Sequence, residues 1–190
     1  MENKIFLGIV GQNGAGKSTA CDFLKETGFA VYSLSSVVRD YVESKGLKQE
    51  RDTLTFYANQ LKQEKGLTYF AEQCFDKVKS KQLECVVFDS VRHPAEVEFL
   101  KEKGVYFIGI KVSLEVRYKR IQVRQAATDF IDFETFKKQD EKEKSGQSSG
   151  QFIDEAFKLC DDIIFNEDNL VQFKTDLLRV VNTIKEKVNG

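Results

Sequence analysis

One histidine, one proline and four cysteines are spread over 190 residues, and 29 Lys and Arg stand against 30 Asp and Glu for a formal charge of −1 at pH 7. Each scarcity excludes something. A balance so close to zero sets up no basic field, so nucleic acid is not an expected partner, and any anion site has to be made locally. His93 has no cysteine or second histidine near it in sequence, which argues against a metal centre built on it. Cys21, Cys74, Cys85 and Cys160 are far apart and form no C-x-x-C pair; they read as free thiols in a reducing compartment. No apolar run approaches the ~20 residues of a membrane span, and Glu2 and Lys4 interrupt the N-terminus before any signal-peptide core. The expectation is a cytoplasmic protein with no membrane partner. No internal repeat is visible. A chain of this length, 41% hydrophobic and 31% charged, suits one domain with a substantial core.

What the chain does have is a glycine-rich turn between a buried-strand pattern and a helix. Ile5 to Val10 is apolar, and Gly11-Gln12-Asn13-Gly14-Ala15-Gly16-Lys17-Ser18-Thr19 follows. Gly11 to Ser18 fits G-x-x-x-x-G-K-[ST], the phosphate-binding P-loop, in the strand-to-helix context that the motif requires. Such a loop wraps a polyphosphate with backbone N–H groups, and the helix start adds more donors and a positive dipole end. Lys17 is then expected on the β- and γ-phosphates, and the Ser18 hydroxyl on Mg²⁺.

Apolar strand patterns alternate with helical periodicity along the rest of the chain. Short strands are expected at 29–32, 85–89, 105–112 and 162–165. Helices are expected at 18–27, from Ser33 or Ser35 (either able to cap) to Gly46, and at 53–65, 68–81, 95–103, 114–125, 152–159 and 169–188. Residues 128–144 are polar with phenylalanines at 130, 133 and 136, and 145–150 read as a flexible tract. Continuous apolar strands alternating with helices imply an α/β fold: a P-loop three-layer sandwich, with a five-stranded parallel sheet and helices on both faces. Within one domain over 1–190, an acceptor-binding helical insert is placed at about 33–80 and a small helical lid at about 117–150. Ligands belong at the carboxyl ends of the strands, marked by Gly11, Ser33, Asp89 and Val112.

Asp89 closes an apolar strand, where a carboxylate lies beside the P-loop and can hold Mg²⁺ or orient a nucleophile. Arg92, three residues on, suits bidentate phosphate binding, with a surface salt bridge as the alternative. Arg39 lies on the carboxyl side of the sheet near Ser33 and Ser35. Arg117, Arg120 and Arg124 share one helical face. Either they form a solvated ion-pair face, neutralised by Glu115 and Asp129, or they close over transferring phosphates.

Together the Gly11–Thr19 loop, the Tyr32–Arg39 segment, Phe88-Asp89-Ser90-Val91-Arg92, the arginine helix and Ile164-Phe165-Asn166 resemble the nucleoside monophosphate kinase group, in order over nearly the whole chain. Its adenylate-kinase-like and dephospho-CoA-kinase-like P-loop members look most similar. Ser35 is placed in the acceptor site with Arg39 and Arg92. The resemblance implies that Arg39 and Arg92 hold the acceptor's phosphate, that Arg120 and Arg124 bracket the phosphoryl in flight, and that Asn166 lies in the loop beside the nucleotide base. The chain departs from the pattern at Ser90, where glycine is common, and at Gln139, where a further lid arginine is expected before Asp140. No Asn-Lys-x-Asp guanine motif is present, which favours ATP.

The expected activity is transfer of the γ-phosphoryl of ATP·Mg²⁺ to a (deoxy)nucleoside monophosphate, with Lys17, Asp89, Arg120 and Arg124 catalytic. Partners are then small nucleotides, and the protein a monomer or homodimer. Two alternatives stay open: a kinase for dephospho-CoA or another small phosphorylated metabolite, and a slow regulatory ATPase.

Overall fold

The computed structural model describes residues 4–124, 131–145, 152–167 and 169–189. Five strands form one parallel sheet: β1 (Ile5–Gly11), β2 (Ala30–Ser33), β3 (Cys85–Asp89), β4 (Val105–Lys111) and β5 (Asp162–Phe165). Their spatial order is β2-β3-β1-β4-β5. Each strand lies within two residues of its expected bounds, because continuous apolar runs bounded by turns leave little freedom of placement.

Side-chain alternation explains why the sheet is covered on both faces. Val86, Phe88 and Phe107 point into one core, with Leu34, Val42, Leu100 and Phe157. Val87, Ile108 and Ile110 point into the other, with Leu24, Phe173 and Leu177. The first core is roofed by α2 (Leu34–Ser44), α3 (Arg51–Lys65), α4 (Tyr69–Ser80), α5 (Pro94–Glu102) and α8 (Ile153–Lys158). The second lies under α1 (Lys17–Glu26) and α9 (Leu170–Asn189).

Beyond β4, α6 (Leu114–Arg124) and α7 (Phe133–Ser145) pack through Tyr118, which meets the rings of Phe133 and Phe136 at 5.2 and 5.7 Å. Phe130, Asp129 and the tract at 146–150 lie outside the described residues. In the expected acceptor insert, Phe70 is buried, and Tyr41, Tyr57 and Tyr69 pack against the core. Phe56 stays 63% exposed. No helix among the described residues is long and apolar enough to cross a membrane.

Candidate active site

The parallel register brings the polar strand ends to one edge of the sheet. Ser33 pairs directly with Asp89, Gly11 with Ile110, and Lys111 with Phe165. The P-loop leaves β1 between them and opens α1 at Lys17, with Ser18 and Thr19 exposed on the first turn. The Lys17 ammonium donates to the carbonyls of Gly11 at 2.7 Å and Gln12 at 2.9 Å. It is thus folded over the loop that an incoming polyphosphate has to enter.

Two glycines are needed for the loop's shape. Gly14 has φ +78, and a Cβ there would sit 2.8 Å from the Arg117 carbonyl oxygen. Gly16 has φ +98, and a Cβ there would meet Asn166 Nδ2 at 2.5 Å. Asn166 is buried, and Nδ2 donates to the Ala15 carbonyl at 2.9 Å, so this side chain braces the P-loop from the end of β5. Replacing Gly16 with alanine is therefore expected to push Asn166 off Ala15 and strain the loop. ATP binding should weaken about tenfold or more, read by titration calorimetry.

Asp89 is the pivot of the site. Its Oδ2 accepts from Ser90 Oγ at 3.1 Å, while Oδ1 is buried without a partner. Burial, with the charge of Asp89 as the next contributor, pushes the Cys21 thiol up to about 12. Asp89 ends β3, and α1, the helix that carries Ser18 and Cys21, packs on that strand. A carboxylate with an unmet oxygen and an exposed serine hydroxyl at the P-loop helix are hard oxygen donors of the kind Mg²⁺ takes. The residues present therefore fit an ATP-bound Mg²⁺. Burial also raises Cys74 to about 11 and Cys160 to about 12, so these thiols stay protonated. No cluster of three or more metal-ligating side chains occurs among the described residues.

Ser33 stands at the N-cap position of α2, yet its side chain caps nothing. The expected cap is replaced because the register turns Ser33 towards β3, where its hydroxyl donates to Ser90 Oγ at 2.9 Å. Ser35 Oγ lies 2.9 Å from Ser33 Oγ. Ser35 and Arg92 are half-buried and Arg39 is exposed.

The Arg92 loop is fixed by a residue that sequence reading missed. Glu96, 2% exposed, accepts from the backbone N–H groups of Arg92 at 3.0 Å and His93 at 3.1 Å, and pairs with Lys62 of α3 at 2.9 Å. His93 Nδ1 accepts from the Ala95 N–H at 3.1 Å and completes a capping box with Glu96. The signal was the three-residue spacing from cap to glutamate, disguised by a histidine in the cap. Burial and then the Lys62 charge hold His93 below the usual imidazole range, which suits a ring nitrogen used as an acceptor. Phe152, where the chain returns from α7, donates its N–H to the Arg92 carbonyl at 3.0 Å.

The three arginines of α6 part company. Arg117 is 1% exposed and forms a bidentate pair with Asp140 of α7 at 2.6 and 2.9 Å. It also donates to the carbonyls of Asn13 and Val112, each at 3.3 Å. It is a structural bolt, neutralised by Asp140 rather than by Glu115. Arg120 donates to the Glu167 carbonyl and, at 3.5 Å, to Asn166 Oδ1, and its Nη1 is buried without a hydrogen-bond partner. Arg124 lies one turn further on and is exposed. The structure thus brings Lys17, Asp89, Arg120 and Asn166 around the P-loop.

Residues 7–144 match a family model described as an AAA domain. A UPF0200 protein of Methanosarcina mazei is 32% identical over 183 residues, covering 95% of this chain and 95% of its own length. One from Methanosarcina barkeri is 30% identical over 179 residues, covering 93% and 94%. A UPF0200/UPF0201 protein of Archaeoglobus fulgidus is 30% identical across 99% of this chain, which spans only 59% of that longer relative. Among solved structures, a Thermus thermophilus protein superposes with TM-score 0.66 at 19% identity, covering 95% of this chain and 97% of its own. Shikimate kinase from Bacteroides thetaiotaomicron gives 0.57 at 14% identity, covering 95% and 98%. Dephospho-CoA kinase from Campylobacter jejuni gives 0.52 at 19%, covering 98% and 99%. The likeness to these structures is one of fold: a P-loop kinase-like α/β sandwich.

Proposed function

The chain belongs to the UPF0200 family, within the AAA-domain P-loop proteins, and on that premise we propose that it is an ATP-dependent phosphotransferase acting on a small phosphorylated acceptor, with a (deoxy)nucleoside monophosphate as the leading candidate. The observation that carries the reading is Asp89: a carboxylate at the end of β3, beside the P-loop helix, with one buried oxygen left unmatched. A buried acceptor without a donor is costly unless a ligand supplies one.

In this reading the P-loop amides and Lys17 hold the β- and γ-phosphates. Ser18 and Asp89 hold Mg²⁺, which would neutralise charge on the phosphates. Arg39 and Arg92 take the acceptor's phosphate from the side of the acceptor insert at 33–80. Glu96 fixes the backbone that presents Arg92, so little ordering remains to be done when the acceptor arrives. Arg120 and Arg124, in the lid at 117–150, stabilise charge developing in transfer. Asn166, which braces Ala15, stands with Arg120 on the side of the loop expected to face the base.

The test is ADP release from ATP·Mg²⁺ over a panel of nucleoside and deoxynucleoside monophosphates, with dephospho-CoA included. One acceptor is expected to stimulate release strongly. Slow release indifferent to every acceptor would replace the transferase with an ATPase.

A further inference from the structure

Between the acceptor insert and Asp89 runs a chain of hydroxyls that neither the P-loop nor the arginines explain. Ser35 Oγ lies 2.9 Å from Ser33 Oγ, Ser33 Oγ 2.9 Å from Ser90 Oγ, and Ser90 Oγ 3.1 Å from Asp89 Oδ2. Ser33 and Asp89 are register partners on adjacent strands, so the sheet itself sets the span.

The polarity of this chain follows from counting protons. A serine hydroxyl has one O–H and two lone pairs, and an ionised carboxylate only accepts. Ser90 spends its proton on Asp89. Ser33 then spends its own on Ser90, and Ser35 donates to Ser33. Every O–H dipole points at the carboxylate, so the open end, Ser35 Oγ, has only lone pairs to offer. At the other end Oδ2 is held, and Oδ1 is left buried and unmatched.

The backbone gives an independent sign that the middle of the chain is used. Ser90 has φ +63, one of two non-glycine residues with positive φ among the described residues. L side chains adopt that region at a cost, and glycine would fit it freely. A hydroxyl is kept where the backbone favours its absence.

We infer that Ser90 and Ser33 are positioning residues that fix the Asp89 carboxylate for phosphoryl transfer, and that Ser35, at the outer end, selects an acceptor presenting an O–H or N–H donor. The inference deepens the phosphotransferase reading and rests on it for the acceptor. The fixing of Asp89 is also visible without an acceptor. Unheld, the carboxylate turns among rotamers, and a misplacement on the order of 1 Å can cost about 10²-fold in a reacting site.

The test uses Ser90→Gly, which removes the hydroxyl while relieving the backbone. Its melting temperature is expected to stay close to the parent's, because relief of the positive φ offsets the two hydrogen bonds lost. Its kcat with the stimulating acceptor should fall by about 10- to 100-fold, with KM for ATP nearly unchanged. In parallel, Mg²⁺ is titrated by calorimetry into protein holding a non-hydrolysable ATP analogue, and the apparent Mg²⁺ affinity of Ser90→Gly should fall about tenfold. Ser35→Ala should raise KM for the acceptor about tenfold and leave the Mg²⁺ titration where it was. A Ser90→Gly protein that keeps both its kcat and its Mg²⁺ affinity within twofold overturns the inference. If the parent protein shows no acceptor-stimulated turnover, the transferase reading and the Ser35 selection fall together, and the Mg²⁺ titration still decides whether the serines fix Asp89.

Discussion

Lys17→Ala is expected to lower acceptor-stimulated phosphoryl transfer by about 10²- to 10³-fold, the loss seen when one preorganised charge or donor is removed from a developing anion. The ammonium is gathered over the loop, on the carbonyls of Gly11 and Gln12, neutral acceptors that charged phosphate oxygens would outcompete. The fold should not suffer, because Lys17 is at a helix start and is not in either hydrophobic core. Steady-state kinetics and a thermal melt on the same preparation separate these effects. Lys17→Arg should rescue poorly, since a planar fork does not replace a compact point charge inside a tight turn. An alanine variant that turns over at the parental rate would remove phosphoryl transfer at this loop from consideration.

The largest stability effect is expected at Asp140→Ala. Arg117 and Asp140 are each 2% exposed in their side chains, so water screens the pair little. Removing the carboxylate leaves a buried guanidinium on the carbonyls of Val112 and Asn13 and the face of Phe136, with no counter-charge among these contacts. Breaking one side of such a pair costs about 3–5 kcal/mol. For a chain of this size each kcal/mol lowers Tm by roughly 2–4 °C, so a fall of about 6–20 °C is expected by calorimetry. Replacing both partners with apolar side chains of similar volume should recover most of the loss, because no charge is then stranded. A single alanine variant melting within a degree or two of the parent would show that α6 and α7 are joined by something other than this pair. Through Asn13 the same bolt reaches the P-loop, so a weakened response to ATP should accompany the lower Tm.

Sequence and structure divide along a physical line. The strand runs, the helix periods and the P-loop are local patterns, and each sets its own backbone: apolar continuity for a strand buried on both faces, glycines where φ is positive or a Cβ would strike a neighbour. Five parallel strands and the place of Lys17, Ser18 and Asp89 at their carboxyl ends follow from that alone. Partner choice is different, because it depends on which surfaces the sheet order β2-β3-β1-β4-β5 brings together. Three arginines on one helical face look alike in sequence. Only packing decides that Arg117 is buried on Asp140, that Arg120 turns to Asn166 and Glu167, and that Arg124 is exposed. Ser33 is a good helix cap by type, and parallel pairing with β3 is what turns its hydroxyl to Ser90 instead. Glu96 is an ordinary helical glutamate until Lys62, 34 positions earlier, arrives beside it. The sequence by itself determined the elements and the phosphate-binding loop, since a residue's backbone preference and its apolar period act within a few positions of itself. The tertiary structure alone decided which charges are paired, which hydroxyls are chained to Asp89 and which of its oxygens is buried without a partner, since those depend on distances between residues far apart along the chain.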